Sequence, residues 1–456
     1  MVQGVRDLSS SGHAALSDET EPSRWVHYFN LEDTTMKLTK SLLLASVAGF
    51  AAVASAQAAD LPSKKAAPVE YVKVCPTYGP GFFYIPGTTT CLKIGGQVTS
   101  DFRWGGGSRE MTARTDQGYN NRTRGYVRLD ARDNTEYGLL RTYASIYYEK
   151  SIGAAQSSSG TIEADQAYIQ FGGLTAGRYT NLLGQDEYGF GSVSTVGGYK
   201  TVTLGVNAPT HGAMYAFNLG NGVTFAAGFE DSDNTRMNPT FSGAQAGQTA
   251  PDFTARIKVS QAWGDAWIGG ASHQLRSDNS VVSTEYGYGV AGGVKVNLPM
   301  LAKGSNFGVM AAYADGAIAY AGNSVFGTST SAIGTQQIGG TRFRPVDFQT
   351  DNPNQTSKSY YVGGHFTHFF TPTVSGHLFS AYMNYDPFGA SNSTNIMSVG
   401  ARLAWSPVSG LTLSPEVYYA KISTTNAAAA NSGVAINTYG KGSDEVAVRM
   451  RIARSF

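Results

Sequence analysis

Arg122, Arg124, Arg128 and Arg132 all occupy even positions of one short stretch. On an extended chain successive side chains alternate faces, so the four share one side. Tyr126 and Asp130 join them, while Val127, Leu129 and Ala131 fall on the other. Arg141, in the following stretch, points the same way, roughly level with Arg128 or a little below it. Guanidinium is a permanent cation whose fork of N–H groups matches a carboxylate. A row of them attracts and orients anions. Facing lipid at mid-bilayer, each would cost about 2–4 kcal/mol, so in a membrane protein the row must line water. A basic wall becomes a filter rather than an anion trap when carboxylates oppose it. Asp186 and Glu187, within Gly184–Gly191, are the candidates. If 181–210 folds inward, acid faces base across a gap, and the field there selects by size and charge. The plainer alternative is a set of charges solvated in a lumen or at its rim.

Other chemistries find less support. Cys75 and Cys91 flank a turn-rich loop and permit one intramolecular pairing. In an oxidising compartment a disulfide is expected, worth roughly 3 kcal/mol in the chain-entropy account. No further Cys or His lies nearby to make a metal site. His365 and His368 are three apart, so on a strand they point to opposite faces and share no metal. Gly287-Tyr288-Gly289-Val290-Ala291-Gly292 fits G-x-G-x-x-G, but no helical pattern follows it, and nucleotide binding is not expected. The histidines of the strand-rich region, His211, His273, His365, His368 and His377, are scattered, without the His–Ser arrangement of a hydrolase. No catalytic residue, metal or cofactor is expected. A formal charge of +1 gives no footprint for nucleic acid.

The elements that would position the basic row are strands. From Leu92 the chain reads as strands of about ten residues, near 92–104, 121–132, 137–148, 162–171, 174–180, 211–219, 222–230, 252–263, 265–276, 286–297, 305–315, 357–369, 372–384, 396–405, 410–421 and 443–456. Short turns such as Asp133-Asn134 and Gly172-Gly173 alternate with long connections, among them 181–210, 231–251 and 316–356. The count, 16, is even, and a barrel of that size leaves an aqueous channel. A hairpin hidden in 316–356 would make it 18; Pro345, Pro353 and the polar run Asp351–Gln355 favour a loop. The 55 Gly, 22 Phe and 26 Tyr beside two Cys suit an apolar outer wall with aromatic girdles and a polar lumen. In the final stretch Val446, Val448, Met450, Ile452 and Phe456 share one face, and the chain stops at that terminal aromatic.

Upstream, Met36–Lys40 is a short basic segment, Ser41–Val53 an apolar run of about 13 residues, and Ala56-Gln57-Ala58 a cleavage site. The expected organisation is an over-extended start at 1–35, a signal peptide at 36–58, a Cys-flanked periplasmic or lumenal segment at 59–91 and a transmembrane barrel at 92–456.

Ala58-Ala59-Asp60-Leu61-Pro62, Val74-Cys75, Gly81–Gly87, Thr90–Gly96, Gln166–Arg178 and the terminal Phe456 together resemble the general outer-membrane porins of the alphaproteobacterial Rhizobiales and Brucella group. The resemblance spans the chain from Ala59. It implies an all-β, 16-strand antiparallel transmembrane barrel with an inward-folded third loop, mapping onto 181–210. It implies passive diffusion of ions and small hydrophilic solutes, a homotrimer, outer-membrane lipid and lipopolysaccharide as surroundings, and recognition of the Phe456 strand by the barrel-assembly machinery. An outer-membrane enzyme and an adhesin built on long loops are the rival classes; an adhesin leaves the inward basic row without a use.

Overall fold

The computed structural model describes residues 73–104, 119–152, 160–184, 209–231, 246–321, 336–338, 341–343, 346–349, 352–388, 393–424 and 442–456. The leader region 1–58 lies outside these residues.

The barrel strands are β1 (Cys91–Trp104), β2 (Tyr119–Thr135), β3 (Gly138–Ile152), β4 (Thr161–Phe171), β5 (Leu174–Thr180), β6 (Pro209–Gly220), β7 (Val223–Glu230) and β8 (Asp252–Gln261). They continue as β9 (Gly264–Leu275), β10 (Glu285–Asn297), β11 (Asn306–Asp315), β12 (Lys358–Thr371), β13 (Val374–Asp386), β14 (Thr394–Val408), β15 (Leu411–Thr424) and β16 (Gly442–Ser455). Each pairs antiparallel with its sequence neighbours, and β16 returns to β1 from Gln97↔Ser455 to Trp104↔Val448, closing a 16-strand barrel. Closure removes every sheet edge, which a lipid-facing backbone requires.

Period-two alternation sets the faces. Val98, Val127, Leu129, Ile146, Ile169, Ile268, Val399 and Val448 are exposed on the outer wall, where only hydrocarbon suits them. The terminal residue completes the seam. Phe456 N–H donates to Gly96 O at 3.1 Å, Gly96 N–H donates back at 3.1 Å, and the Phe456 ring lies where a Cβ at residue 96 would stand.

Strand ends shift by a few residues from expectation, and two connections matter for the site. The β2–β3 ladder runs through Asp133↔Leu140 and Asn134↔Leu139 to Thr135↔Gly138, so the turn is Glu136-Tyr137 rather than Asp133-Asn134. The Asp133 carboxylate accepts hydrogen bonds from the Thr90 and Thr89 hydroxyls, at 2.9 and 3.3 Å, which holds it in the ladder. The connection after β11 contains pairings at Gln336–Ile338 with Thr341–Phe343 and at Phe348–Gln349 with Asn352–Thr356, but both lie outside the barrel sheet. β11 pairs directly with β12, from Asn306↔Thr367 to Asp315↔Lys358, so the count stays at 16.

Candidate functional site: the lumenal wall

All five sequence-singled arginines stand on the inner face, and carboxylates of neighbouring strands meet most of them. Asp101 of β1 is directly across from Arg122 of β2 and from Arg451 of β16. Arg122 Nε and Nη2 donate to its Oδ2 at 3.2 and 2.9 Å; Arg451 donates to Oδ1 at 2.6 Å and to Oδ2 at 2.9 Å. Asp101 is fully buried beneath these two guanidiniums. One β2 turn of the ladder on, Glu149 of β3 pairs with Arg124 and lies 3.6 Å from Arg122 Nη1. At the short-turn end Asp130 accepts two bonds from Arg132, at 2.9 and 2.7 Å, and two from Arg141, both 2.9 Å. The register puts Arg141 across from Arg132, four positions nearer the short turns than Arg128, roughly 13 Å along the strand. Arg141 is therefore not level with Arg128.

Arg128 differs from the rest. Among the described residues no carboxylate is within ion-pair reach; its Nη2 donates to Gln97 Oε1 at 3.4 Å and its guanidinium lies 4.7 Å over the Tyr126 ring. Tyrosines fill the wall between the charges. Tyr126 meets Tyr147 at 5.3 Å and Tyr143 stacks on Tyr168 at 5.1 Å, while Arg124 covers Tyr147 at 4.1 Å and Arg141 covers Tyr143 at 5.0 Å. Rings under guanidiniums fix their long side chains by cation–π attraction. A register shift between Ser145 and Ile146 leaves one extra residue on β4. Asp165 fills it, and its carboxylate is 3.5 Å from the Ser145 hydroxyl on the inner face, beside Gln166. A bulge thus adds a carboxylate to the lumen without breaking the outer apolar pattern.

Asp101 and Asp130 were within reach of sequence as inward carboxylates, because each falls on the inward-facing parity of its own strand. Glu149 shares parity with Arg141 but needed the β2–β3 register to be matched to Arg124. Asp165 had no periodic signal, since a bulge breaks the period.

Asp186 and Glu187 lie outside the described residues. The start of their connection is described. Leu182 N–H donates to Glu230 Oε1 at 2.9 Å, Asn181 Nδ2 bonds the same carboxylate, and Leu183 is buried. Leu183 Cδ2 occupies the space in front of Gly269, on the inner face of β9, where a Cβ would come within 2.5 Å. Asn181–Gly184 thus turns inward from β5 across the wall toward β9.

Cys75 and Cys91 form a disulfide, with Cα atoms 6.0 Å apart. They bury with Phe82, and Phe82 lies 4.9 Å beneath the Arg132 guanidinium. The Cys-flanked segment therefore packs on the lumenal side of the wall at its short-turn end.

Residues 60–448 match the family described as the porin subfamily. Porin Omp2b of Brucella canis is 32% identical over 251 residues, which cover 49% of this chain and 63% of that protein. Porin Omp2b of Brucella abortus strain 2308 is 31% identical over 252 residues, with the same shares. The match therefore spans less than two thirds of these relatives' length. The outer membrane channel DcaP of Acinetobacter baumannii superposes with a TM-score of 0.57 at 14% identity, covering 82% of this chain and 99% of that one, a likeness of fold.

Proposed function

This chain belongs to the porin family and is an outer-membrane β-barrel, and from that premise we propose that it is a water-filled channel for passive diffusion of ions and small hydrophilic solutes. One observation carries the reading: a closed barrel with an apolar outside carries arginine, carboxylate and tyrosine side by side along the inner face of β1–β4. Charges so placed, in a passage of low surrounding dielectric, act more strongly than surface charges and sort solutes by sign. Of the five arginines, Arg128 is the one with no carboxylate within ion-pair distance among the described residues. Arg122, Arg124, Arg132 and Arg141 hold a fixed pattern of alternating sign with Asp101, Glu149 and Asp130.

The acidic side of the constriction is assigned to Asp186 and Glu187 on 181–210, a reading supported by the inward course of Asn181–Gly184. The proposal also includes export through a signal peptide cleaved after Ala58, assembly guided by the Phe456 strand, a homotrimer, and contact of the outer wall with lipid and lipopolysaccharide. The role is transport, with no catalytic step.

Planar-bilayer recording of the purified protein tests this. Ion-conducting steps are expected, with a reversal potential in a salt gradient. Asp186→Asn with Glu187→Gln should move selectivity toward anions. A protein that inserts yet never conducts would remove the channel reading, and an unchanged reversal potential in that double variant would remove the acidic constriction alone.

A further inference from the structure

The inner wall of β9–β13 near the long connections is apolar, where a water-filled barrel would be polar. Trp267, Ala271, Ala291, Met310, Tyr361 and Met383 face inward there and are buried. Their cover is the connection between β11 and β12. Ile318–Ala321 forms one 3-10 turn, every residue of which is buried, and Val346 and Phe348 are buried as well. The wall is shaped for it. A Cβ at Gly289 would come within 2.5 Å of Tyr320 Cβ, and one at Gly287 within 2.4 Å of the Gly316 carbonyl carbon. These are two of the glycines of the G-x-G-x-x-G match, which here make room for a passing backbone. From the other side, the Tyr385 hydroxyl accepts from Val346 N–H at 3.0 Å. The short strand Gln336–Ile338 runs near β15 and β16.

Four polar side chains fasten this segment to the wall. The Tyr320 hydroxyl donates to Asp252 Oδ2 at 2.8 Å, and Ile318 N–H donates to Asp347 Oδ1 at 2.9 Å. His273 stands between the two carboxylates, with Nδ1 at 2.9 Å from Asp252 Oδ1 and Nε2 at 3.8 Å from Asp347 Oδ2. All four are buried. Asp252 also pairs across the sheet with Glu230, the carboxylate that receives Leu182 N–H. Both inward-turning connections therefore end on one carboxylate pair at the β7–β8 rim.

We propose that Tyr320, Asp252, His273 and Asp347 form a latch that seats Gly316–Ala321 and Val346–Gln349 inside the lumen, and that this seated segment sets the size limit for solutes. The proposal rests on the channel reading and adds a second narrowing element to the connection after β5. The four residues are positioning residues; they fix where the backbone lies and touch no solute. Buried polar networks of this kind specify one arrangement when every member is satisfied, and lose it when one partner is removed.

The test compares Asp252→Ala/Asp347→Ala with the parent in bilayers and in liposome-swelling assays with sugars of graded size. Heat-modifiable mobility serves as the check on folding. Conductance should rise on the order of two-fold, as covered wall becomes passage, and larger sugars should enter. A second variant, Tyr320→Phe, keeps the ring and removes only the hydroxyl that donates to Asp252. Its conductance should rise as well, by less than in the alanine variant. Equal conductance and equal sugar limits in parent, alanine variant and Tyr320→Phe overturn the latch. A parent that forms no channel overturns the porin reading instead.

Discussion

Asp101 holds three strands together at the barrel seam. β1 supplies the carboxylate, and β2 and β16 each supply a guanidinium directly across from it. A buried charge group of this kind tolerates loss of its centre badly, because the remaining charges stay desolvated. Asp101→Ala should therefore cost about 3–5 kcal/mol. Arg451→Ala should cost less, since Arg451 is partly exposed and Arg122 still satisfies the acid. The temperature at which the folded gel band disappears measures both, and equal temperatures for Asp101→Ala and the parent would contradict the seam role. Arg128 calls for the opposite expectation. With no carboxylate paired to it among the described residues, Arg128→Ala should barely affect that temperature but should shift the reversal potential toward cations. Arg132→Ala and Arg141→Ala should also shift it toward cations, by at least as much, because each leaves Asp130 less neutralised. The arginine row was legible in the sequence because charge parity survives in a strand of fixed period. The partners were less so, because pairing depends on register between strands, and one turn placed at Asp133-Asn134 instead of Glu136-Tyr137 displaces Arg141 relative to Arg128.

At the scale of elements, the disulfide-bonded segment and the barrel differ in what holds them. Sixteen strands share a closed ladder, whereas Lys73–Thr90 adds a two-residue pairing, Phe83↔Leu92 and Tyr84↔Cys91, and a small cluster of Cys75, Phe82 and Cys91. Closing that loop covalently is worth roughly 3 kcal/mol to the segment. Cys75→Ser/Cys91→Ser should leave insertion and the folded gel band intact while making Lys73–Thr90 sensitive to protease. Loss of the folded band would show that the segment is needed by the barrel itself. The strands were legible because lipid on one side and water on the other enforce alternation over their whole length. The inward course of the β11–β12 connection was not. Its cue is Gly287 and Gly289 on β10, and close backbone approach by a segment distant in sequence leaves no periodic mark on either partner.

For the whole molecule, the described lumen is asymmetric: a charged wall on β1–β4 faces β9–β13, whose inner face is apolar and covered near the long connections. In the channel proposed, solutes pass beside the charged wall, so ion selectivity should be electrostatic while the size limit should be steric. The two respond differently to salt. Raising ionic strength from 0.1 M to 1 M shortens the Debye length from about 10 Å to about 3 Å, less than the half-width of a passage that admits hydrated solutes. The reversal potential measured across a fixed ratio of KCl concentrations should then fall toward zero as the mean concentration rises. The largest sugar that enters liposomes should not change over the same range, because the Tyr320–Asp252 and Asp347 contacts are buried and little screened. Selectivity that persists undiminished at 1 M would mean that ions are chosen by direct coordination at a tight filter, and the field of the arginine wall would lose its role.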